Sequence, residues 1–189
     1  MYRITPLLIL LLSVALVACD ATQETNNRPP TTEGQPATIA YGEETCTHTG
    51  EIIDDRRYGA IITTSDGERL PFASVEDMVQ YEIKGEIAES AIEERWVLDV
   101  VRTSRLLKAE DARYLRTKNQ PSPGGLDITP FDGDEDLSYN MRFLLDGDDL
   151  SWEEVLLYVC EETATDDIDI AARLCDEPSS DELSVLSLN

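Results

Sequence analysis

Basic residues and histidine are scarce in this sequence. Only 15 Lys and Arg oppose 39 Asp and Glu among 189 residues, so the formal net charge is -24. Nucleic-acid affinity rests on Lys and Arg that release counterions from phosphates, so this balance excludes a nucleic-acid-binding protein. One His, and three Cys besides Cys19, also exclude a multi-histidine metal centre and a four-ligand zinc ribbon. Any metal site must therefore be small and use few ligands.

A set of catalytic residues is missing as well. Cys46 and His48 formally offer a nucleophile and a base, but they stand two positions apart and no third residue is available to orient the base. Carboxylates are so abundant that none can be singled out as a general acid. We therefore predict that the protein is not an enzyme.

The N-terminus has the pattern of a bacterial lipoprotein signal. Arg3 precedes an apolar run over residues 6–17, which is short for a membrane span but suits the core of a signal peptide. The run ends in Leu16-Val17-Ala18-Cys19, which resembles a lipobox, the motif at which the signal is removed and the cysteine is lipidated. The pattern predicts a signal peptide over residues 1–18 and a lipid on Cys19 that anchors the protein to a membrane.

The anchor predicts a location in the bacterial cell envelope, facing the extracytoplasmic side, and in the periplasm if the cell is Gram-negative. Asp20 resembles the residue that keeps many lipoproteins in the inner membrane. Residues 19–40 are rich in Thr, Asn, Gln and Pro and predict a flexible tether. We expect the folded domain over residues 41–176, with halves at about 41–101 and 102–176, and a loose acidic tail over residues 177–189.

The first half of the body predicts two strands followed by a helix. Residues 58–63 are rich in β-forming side chains, and the Asp66-Gly67 turn leads into a second strand over residues 69–72, which makes a hairpin. Ser74 then has the position of a helix N-cap, so a helix is predicted over residues 75–82.

A similar pattern occurs later in the chain. Residues 139–145 predict a strand and Asp146-Gly147 a turn. Ser151 and Glu154 form a capping box that opens a helix predicted over residues 155–160. The two occurrences indicate related halves built from small strand-strand-helix units.

Three further segments complete the predicted fold. They are a buried strand over residues 95–101, a short helix over residues 109–115 and a last helix over residues 167–174. Cys160 and Cys175 lie late in two successive helices, so a disulfide between them would staple a C-terminal helical hairpin, worth about 3 kcal/mol in the chain-entropy model. Small strands alternating with helices predict an α+β fold.

That disulfide leaves Cys46 unpaired, two residues before His48, the only histidine. In an extended segment the side chains of residues i and i+2 point to the same side, so the thiol and a ring nitrogen could bind one ion. A thiolate beside an imidazole suits Cu(I), a soft ion that tolerates low coordination. The alternative is a Cys buried as a small hydrophobic residue beside a solvent-facing His.

An ordered series of short motifs runs from Cys46 to Tyr158. It comprises Cys46-Thr47-His48, Asp54-Asp55-Arg56-Arg57-Tyr58-Gly59-Ala60-Ile61, Asp66-Gly67, Phe72, Val75-Glu76-Asp77-Met78-Val79-Gln80-Tyr81, Ala109-Glu110-Asp111-Ala112-Arg113-Tyr114 and Ser122-Pro123-Gly124-Gly125-Leu126-Asp127-Ile128-Thr129-Pro130-Phe131. This order, together with the lipid anchor, resembles the NosL family, copper-binding accessory lipoproteins that assist maturation of nitrous oxide reductase. The resemblance implies a NosL-like fold, Cu(I) as the bound ion, and a copper enzyme or copper-transport protein as partner.

The sequence departs from the family pattern at three positions. Glu43 stands where the family has a first Cys, His48 where Cys-x-Met has its Met, and Gly124 where Ser-Pro-Met-Gly has its Met. The chain thus resembles a divergent member that lacks both Met ligands, with Met78 and Met141 as weaker substitutes. Imidazole in place of a thioether keeps a Cu(I) site but requires the neutral ring.

Three functional hypotheses follow. The first is a membrane-anchored copper-binding accessory protein, or metallochaperone, that holds Cu(I) through Cys46 and His48 for transfer to a partner. The loss of both Met residues favours the second, a cell-envelope lipoprotein that uses the fold as a protein-interaction module. The third is calcium binding at residues 132–136, which copy the start of an EF-hand loop, although Leu137 and Phe143 replace its Gly and Glu.

Overall fold

The computed structural model describes residues 34–143 and 146–164, which form two antiparallel sheets and three α-helices. The first part of the chain contains β1 (Ala60–Thr64), β2 (Arg69–Phe72), α1 (Val75–Ile83), β3 (Ile92–Leu98) and β4 (Leu106–Lys108). The second part contains β5 (Arg113–Arg116), β6 (Ile128–Phe131), α2 (Gly133–Phe143), β7 (Asp148–Leu150) and α3 (Trp152–Ala164). The predicted α+β class is confirmed.

The first sheet is built around β1. This strand forms a hairpin with β2, and after α1 the chain returns as β3 on the other side of β1, so the strand order is β2-β1-β3-β4. The predicted hairpin is therefore confirmed. Ser74 caps α1 as predicted, because its Oγ accepts a hydrogen bond from the Asp77 N–H at 3.2 Å.

The second sheet repeats this connectivity. Strands β5 and β6 form a hairpin, α2 follows, and β7 pairs with the other side of β5, which gives the order β6-β5-β7. The second strand of both hairpins ends in Pro-Phe, at Pro71-Phe72 and Pro130-Phe131, and both Phe side chains are fully buried. The connectivity thus confirms two related halves made of strand-strand-helix units.

The second unit lies elsewhere than predicted. The strand predicted over residues 139–145 is wrong, because α2 (Gly133–Phe143) covers most of that segment. The first turn of α2 is acidic, which favours a helix N-terminus. Leu137 and Met141 lie one turn apart in α2, and both pack with Leu115 and Phe131 in a small apolar cluster. Helices α1 and α2 are therefore the equivalent pair, and α3 is an addition to the second half.

Two other predictions need correction. The helix predicted over residues 109–115 is wrong, because a single 3₁₀ turn at Ala109–Asp111 is followed by strand β5. Tyr114 and Leu115 in β5 are fully buried, and the strand pairs on both sides, so sheet packing outweighs the local helical pattern. The strand predicted over residues 95–101 corresponds to β3, which ends earlier, at Leu98.

The packed chain begins before residue 41. Gln35 Nε2 donates a hydrogen bond to the Leu106 carbonyl at 3.1 Å, and Ile39 is buried in the main core. Residues 35–40, which were expected in the tether, therefore lie against the domain. Strand β4 also extends the first sheet, so the two halves meet between β4 and β5 rather than at residue 101.

The main core lies between the first sheet, α1 and α3. Both helices contribute fully or nearly fully buried side chains to it, namely Val75, Met78, Val79, Trp152, Val155 and Val159. Each such side chain contributes roughly 1.5–3 kcal/mol through burial. A smaller cluster of Leu115, Phe131 and Leu137 joins α2 to the second sheet, so α1 is the more firmly buried of the two equivalent helices.

Several predicted features lie outside the described residues. They are the signal peptide, Cys19 with its lipid, the tether up to residue 33, the helix over residues 167–174, Cys175 and the tail over residues 177–189. Cys160 is disulfide-bonded, but its partner is outside the described residues, so pairing with Cys175 and the helical hairpin stay predictions. None of the helices in residues 34–143 and 146–164 is long and apolar enough to cross a membrane.

Ser151 opens α3 through the predicted capping box. Its Oγ accepts a hydrogen bond from the Glu154 N–H at 3.3 Å, and Glu154 Oε2 accepts one from the Ser151 N–H at 2.7 Å. We expect Ser151→Ala to lower the free energy of unfolding by about 1 kcal/mol, measured by urea denaturation. Ser138→Ala, at an exposed position inside α2, is the matched control and should be close to neutral. Equal effects of the two changes would contradict a role for the cap.

Candidate metal site

The loop over residues 45–52 carries both predicted ligands. An antiparallel bridge between its first and last residues closes the loop. The Thr47 N–H donates a hydrogen bond to the Pro71 carbonyl of β2 at 2.8 Å. Just before the loop, the Glu44 carboxylate accepts two hydrogen bonds from the Arg69 guanidinium, at 3.0 and 3.1 Å. The loop is therefore anchored on β2, close to the start of α1.

Within the loop, Cys46 and His48 lie in a turn. The Gly50 N–H donates to the Cys46 carbonyl at 2.8 Å, and the Cys46 N–H donates to the Glu51 carbonyl at 2.7 Å. The prediction that an extended segment directs both side chains to one side is therefore wrong. The geometry of this turn, and not the alternation of side chains along a strand, sets the relative positions of the Cys46 and His48 side chains.

Cys46 is a free cysteine, and its side chain is inside the protein. The residue is only 1% exposed and belongs to the main core. This burial is compatible with both predicted roles of Cys46, a small hydrophobic residue or a soft metal ligand. In the second role, residues 46–50 must move to admit an ion.

His48 is enclosed by groups at the C-terminal end of α1. Its side chain is 8% exposed, so the alternative of a solvent-facing His is wrong. Nδ1 is buried and lies 3.3 Å from Glu86 Oε1, although it is not aligned for a full hydrogen bond. Nε2 lies 3.2 Å from Lys84 Nζ, and the ring meets Tyr81 edge-on at 6.3 Å between centroids. Both ring nitrogens therefore face charged side chains.

The two weaker candidate ligands lie in different parts of the molecule. Met78 is fully buried in α1 and shares the main core with Cys46. Met141 in α2 packs against the small cluster of the second half. The structure thus places Met78 and Cys46 in one core and separates Met141 from them.

Asp77 is a neighbour of His48 that the sequence assigns only to the start of a helix. Its Oδ2 accepts a hydrogen bond from Ser74 Oγ at 2.9 Å. Burial raises the pKa of Asp77, whereas the hydrogen bond from Ser74 and, to a smaller extent, the charge of His48 lower it. Acidic residues are common in first helical turns, so the pattern alone gives no signal that the charge of His48 reaches this one.

Glu76 is a fully buried carboxyl group that the sequence does not single out either. Its Oε1 accepts hydrogen bonds from Ser122 Oγ and, at 3.0 Å, from the Ile128 N–H. Its Oε2 is buried and has no hydrogen-bond partner among the described residues. Burial raises the pKa of Glu76, and the hydrogen bond from Ser122 lowers it. Through this contact, the first half of the molecule holds the loop that precedes β6.

Gly124 in that loop lies directly against the start of α1. A Cβ at this position would lie 2.7 Å from the Glu76 Cβ and still closer to Ser74 Oγ. No side chain fits there without movement of the loop or the helix. The position at which the resemblance expects a Met ligand is therefore filled by close packing.

The calcium hypothesis does not match the structure. Residues 132–136 do not form an open loop, because α2 begins at Gly133. Among the described residues, three carboxylates that approach within 4.8 Å are those of Asp99, Asp132 and Asp136. Arg102 Nη1 lies 3.1 Å from Asp99 Oδ2 and 2.6 Å from Asp136 Oδ2, so a guanidinium already provides their counter-charge.

The sequence matches no protein-family model and no curated protein. Its fold, however, is NosL-like, an α+β fold with two antiparallel sheets and three helices in the described residues. The crystal structure of the copper chaperone NosL from Shewanella denitrificans is similar at a TM-score of 0.53, with 18% identity over 63% of this chain and 94% of that chain. At this identity the likeness establishes the NosL-like fold alone.

We expect Gly124→Ala to lower the free energy of unfolding by about 1–3 kcal/mol, because the added methyl group overpacks the contact with Ser74 and Glu76. Gly124→Met, which restores the residue of the family pattern, should be less stable still. Chemical denaturation measures both changes. Combining Gly124→Ala with Ser74→Ala, which removes the nearest atom, should cost less than the sum of the single changes. Strict additivity would contradict the contact.

Glu76 should make stability depend on pH. Because burial raises its pKa above the ordinary 4.5, the stability that depends on its proton is fully present below pH 4.5 and is lost as pH rises through the raised pKa. We therefore expect the melting temperature of Glu76→Gln to rise relative to wild type as pH increases from about 4.5 to about 8. Exposed Glu93→Gln is the control. A constant difference between wild type and Glu76→Gln over this range would disprove the prediction.

Proposed function

We propose that the protein is a copper-binding accessory protein or metallochaperone that holds Cu(I) through Cys46 and His48 and transfers it to a partner. The observation that carries the proposal is the position of the two residues. A free thiol and the only imidazole of the chain share one turn beside α1, in a fold that a copper chaperone also has. The similar fold supports copper handling as the class of function, and the ligand residues are our assignment.

The surroundings of Cys46 favour a monovalent soft cation over a divalent one. A thiolate and Cu(I) together carry no net charge, and a neutral imidazole adds none. A neutral complex has little desolvation cost in apolar surroundings, whereas a divalent ion with the same ligands would leave an uncompensated buried charge. Sulfur and imidazole are also the ligands that Cu(I) prefers.

Few ligands also suit transfer. Gly124 offers no side chain, and the proposal assigns only Cys46 and His48, so the proposed site has two protein ligands on the described part of the chain. A partner can add a ligand of its own and take over the ion by stepwise exchange. No covalent bond of a substrate is broken, which agrees with the prediction that the protein is not an enzyme.

The proposed location follows from the N-terminus. A lipid on Cys19 would hold the protein at a membrane on the extracytoplasmic side of a bacterial cell, in the periplasm of a Gram-negative one, and Asp20 favours the inner membrane. The partner would be a copper enzyme or a copper-transport protein. With a net charge of -24, the protein would associate fastest with a basic docking face. Nucleic acid is not a partner.

The packing of Gly124 favours the second candidate function. Because the Ser74 and Glu76 side chains close the position of one expected ligand, the fold could serve as a protein-interaction module of the cell envelope without binding metal. Loss of copper binding would then leave the fold and its partner contacts intact.

Copper binding is tested by anaerobic titration with Cu(I) against a chromogenic chelator, using full-length protein reduced gently so that the Cys160 disulfide stays intact. We expect one ion per chain, and a loss of affinity above about 100-fold in Cys46→Ser and in His48→Ala, because changes beyond the direct ligands already cost 10–100-fold. Met141→Leu, in the other half, is the control and should bind normally. Equal competition by the chelator for all four proteins would reject the copper site and leave the interaction module.

A further inference from the structure

Lys84 lies beside one of the two ring nitrogens of His48. Lys84 Nζ is 3.2 Å from Nε2 of the ring. Nδ1, on the other side, is buried and faces Glu86 Oε1 at 3.3 Å. Lys84 and Glu86 are both exposed residues, whereas the Nδ1 atom itself is buried.

The charges of these two side chains favour one tautomer of the neutral ring. An ammonium group can only donate, so its contact with Nε2 is favourable only when Nε2 carries a lone pair. A carboxylate can only accept, so the proton belongs on Nδ1, which faces Glu86. The two neighbours together present the lone pair of Nε2, the form of imidazole that binds a metal.

The backbone at the end of α1 places both neighbours on the same ring. The Gly85 N–H donates to the Glu82 carbonyl at 2.9 Å, and the Glu86 N–H donates to the Tyr81 carbonyl at 3.2 Å. With Gly85 at φ 70°, this is a Schellman motif, which ends the helix and reverses the chain. Lys84 and Glu86 are therefore held on either side of one glycine, opposite His48.

We propose that Lys84 is a stand-in cation that occupies Nε2 of His48 in the metal-free protein and is displaced when Cu(I) binds, while Glu86 is a positioning residue that reserves Nε2 as the ligand. The proposal rests on the proposed function for its copper step. An ammonium and Cu(I) cannot share one lone pair, so Lys84 must turn out into solvent on loading. When the ion leaves, Lys84 returns to Nε2, which opposes rebinding and favours transfer.

The tautomer can be tested without copper. His48 is the only histidine, so a long-range ¹⁵N–¹H NMR spectrum of the imidazole shows a single ring. At a pH where the ring is neutral, the metal-free protein should show a protonated Nδ1 and an unprotonated Nε2. Lys84→Ala and Glu86→Gln should each shift the population toward the Nε2–H form. A wild-type ring protonated on Nε2 would overturn the proposal, whatever the copper result.

The competition between Lys84 and Cu(I) for Nε2 of His48 is tested by titration with Cu(I) against the same chelator. Lys84→Ala should bind Cu(I) on the order of tenfold more tightly and release it more slowly, because a positive charge within contact distance is removed. Lys118→Ala, at an exposed lysine in the second half, removes the same charge elsewhere and should match wild type. Lys84 is exposed, so its replacement should leave the melting temperature unchanged.

The outcomes separate this inference from the proposed function. If wild type binds Cu(I), Cys46→Ser does not, and Lys84→Ala equals Lys118→Ala, the copper site stands and the role of Lys84 is wrong. If Cys46→Ser and His48→Ala bind as wild type does, the proposed function fails. In that case the NMR experiment still decides whether Lys84 and Glu86 fix the tautomer of His48.

Discussion

Helix α1 is held by both halves of the molecule, and the remaining features depend on this. Its apolar side packs against the first sheet and α3. At its N-terminal end, the buried Glu76 carboxyl group holds the loop before β6 through Ser122 and the Ile128 N–H. At its C-terminal end, Lys84 and Glu86 enclose His48. One helix of nine residues therefore joins the two units and forms one wall of the candidate site.

Local sequence signals predicted the first unit well and the second poorly. In the first unit the Asp66-Gly67 turn and the Ser74 cap are short-range features, and the structure has both. In the second unit, β5 is a strand because it pairs with β6 and β7, which are distant in sequence. A window of a few residues carries no information about such pairing, so a helix was predicted there. The two halves were recognisable, but their alignment required the strand order.

The candidate site shows the same division. Cys46 and His48 stand out because free thiols and histidines are rare in this chain. Lys84 and Glu86 do not, since charged residues are so abundant that neither is distinctive before the fold brings both of them to one ring. The Gly124 contact also cannot be read from the sequence. A glycine at this position shows that the expected Met is absent, but it does not show that Ser74 and Glu76 fill the space.

The burial of Cys46 also bears on redox chemistry. Thiol–disulfide exchange requires a thiolate that another sulfur can approach in line, and bulky thiols need open access to it. Within the folded core Cys46 offers no such approach, whereas Cys160 is already oxidised. Burial therefore restricts the approach of a protein thiol or of glutathione to Cys46. A sulfur enclosed in this way is protected from disulfide exchange, which matters most if the protein lies in the oxidising compartment that its N-terminus predicts.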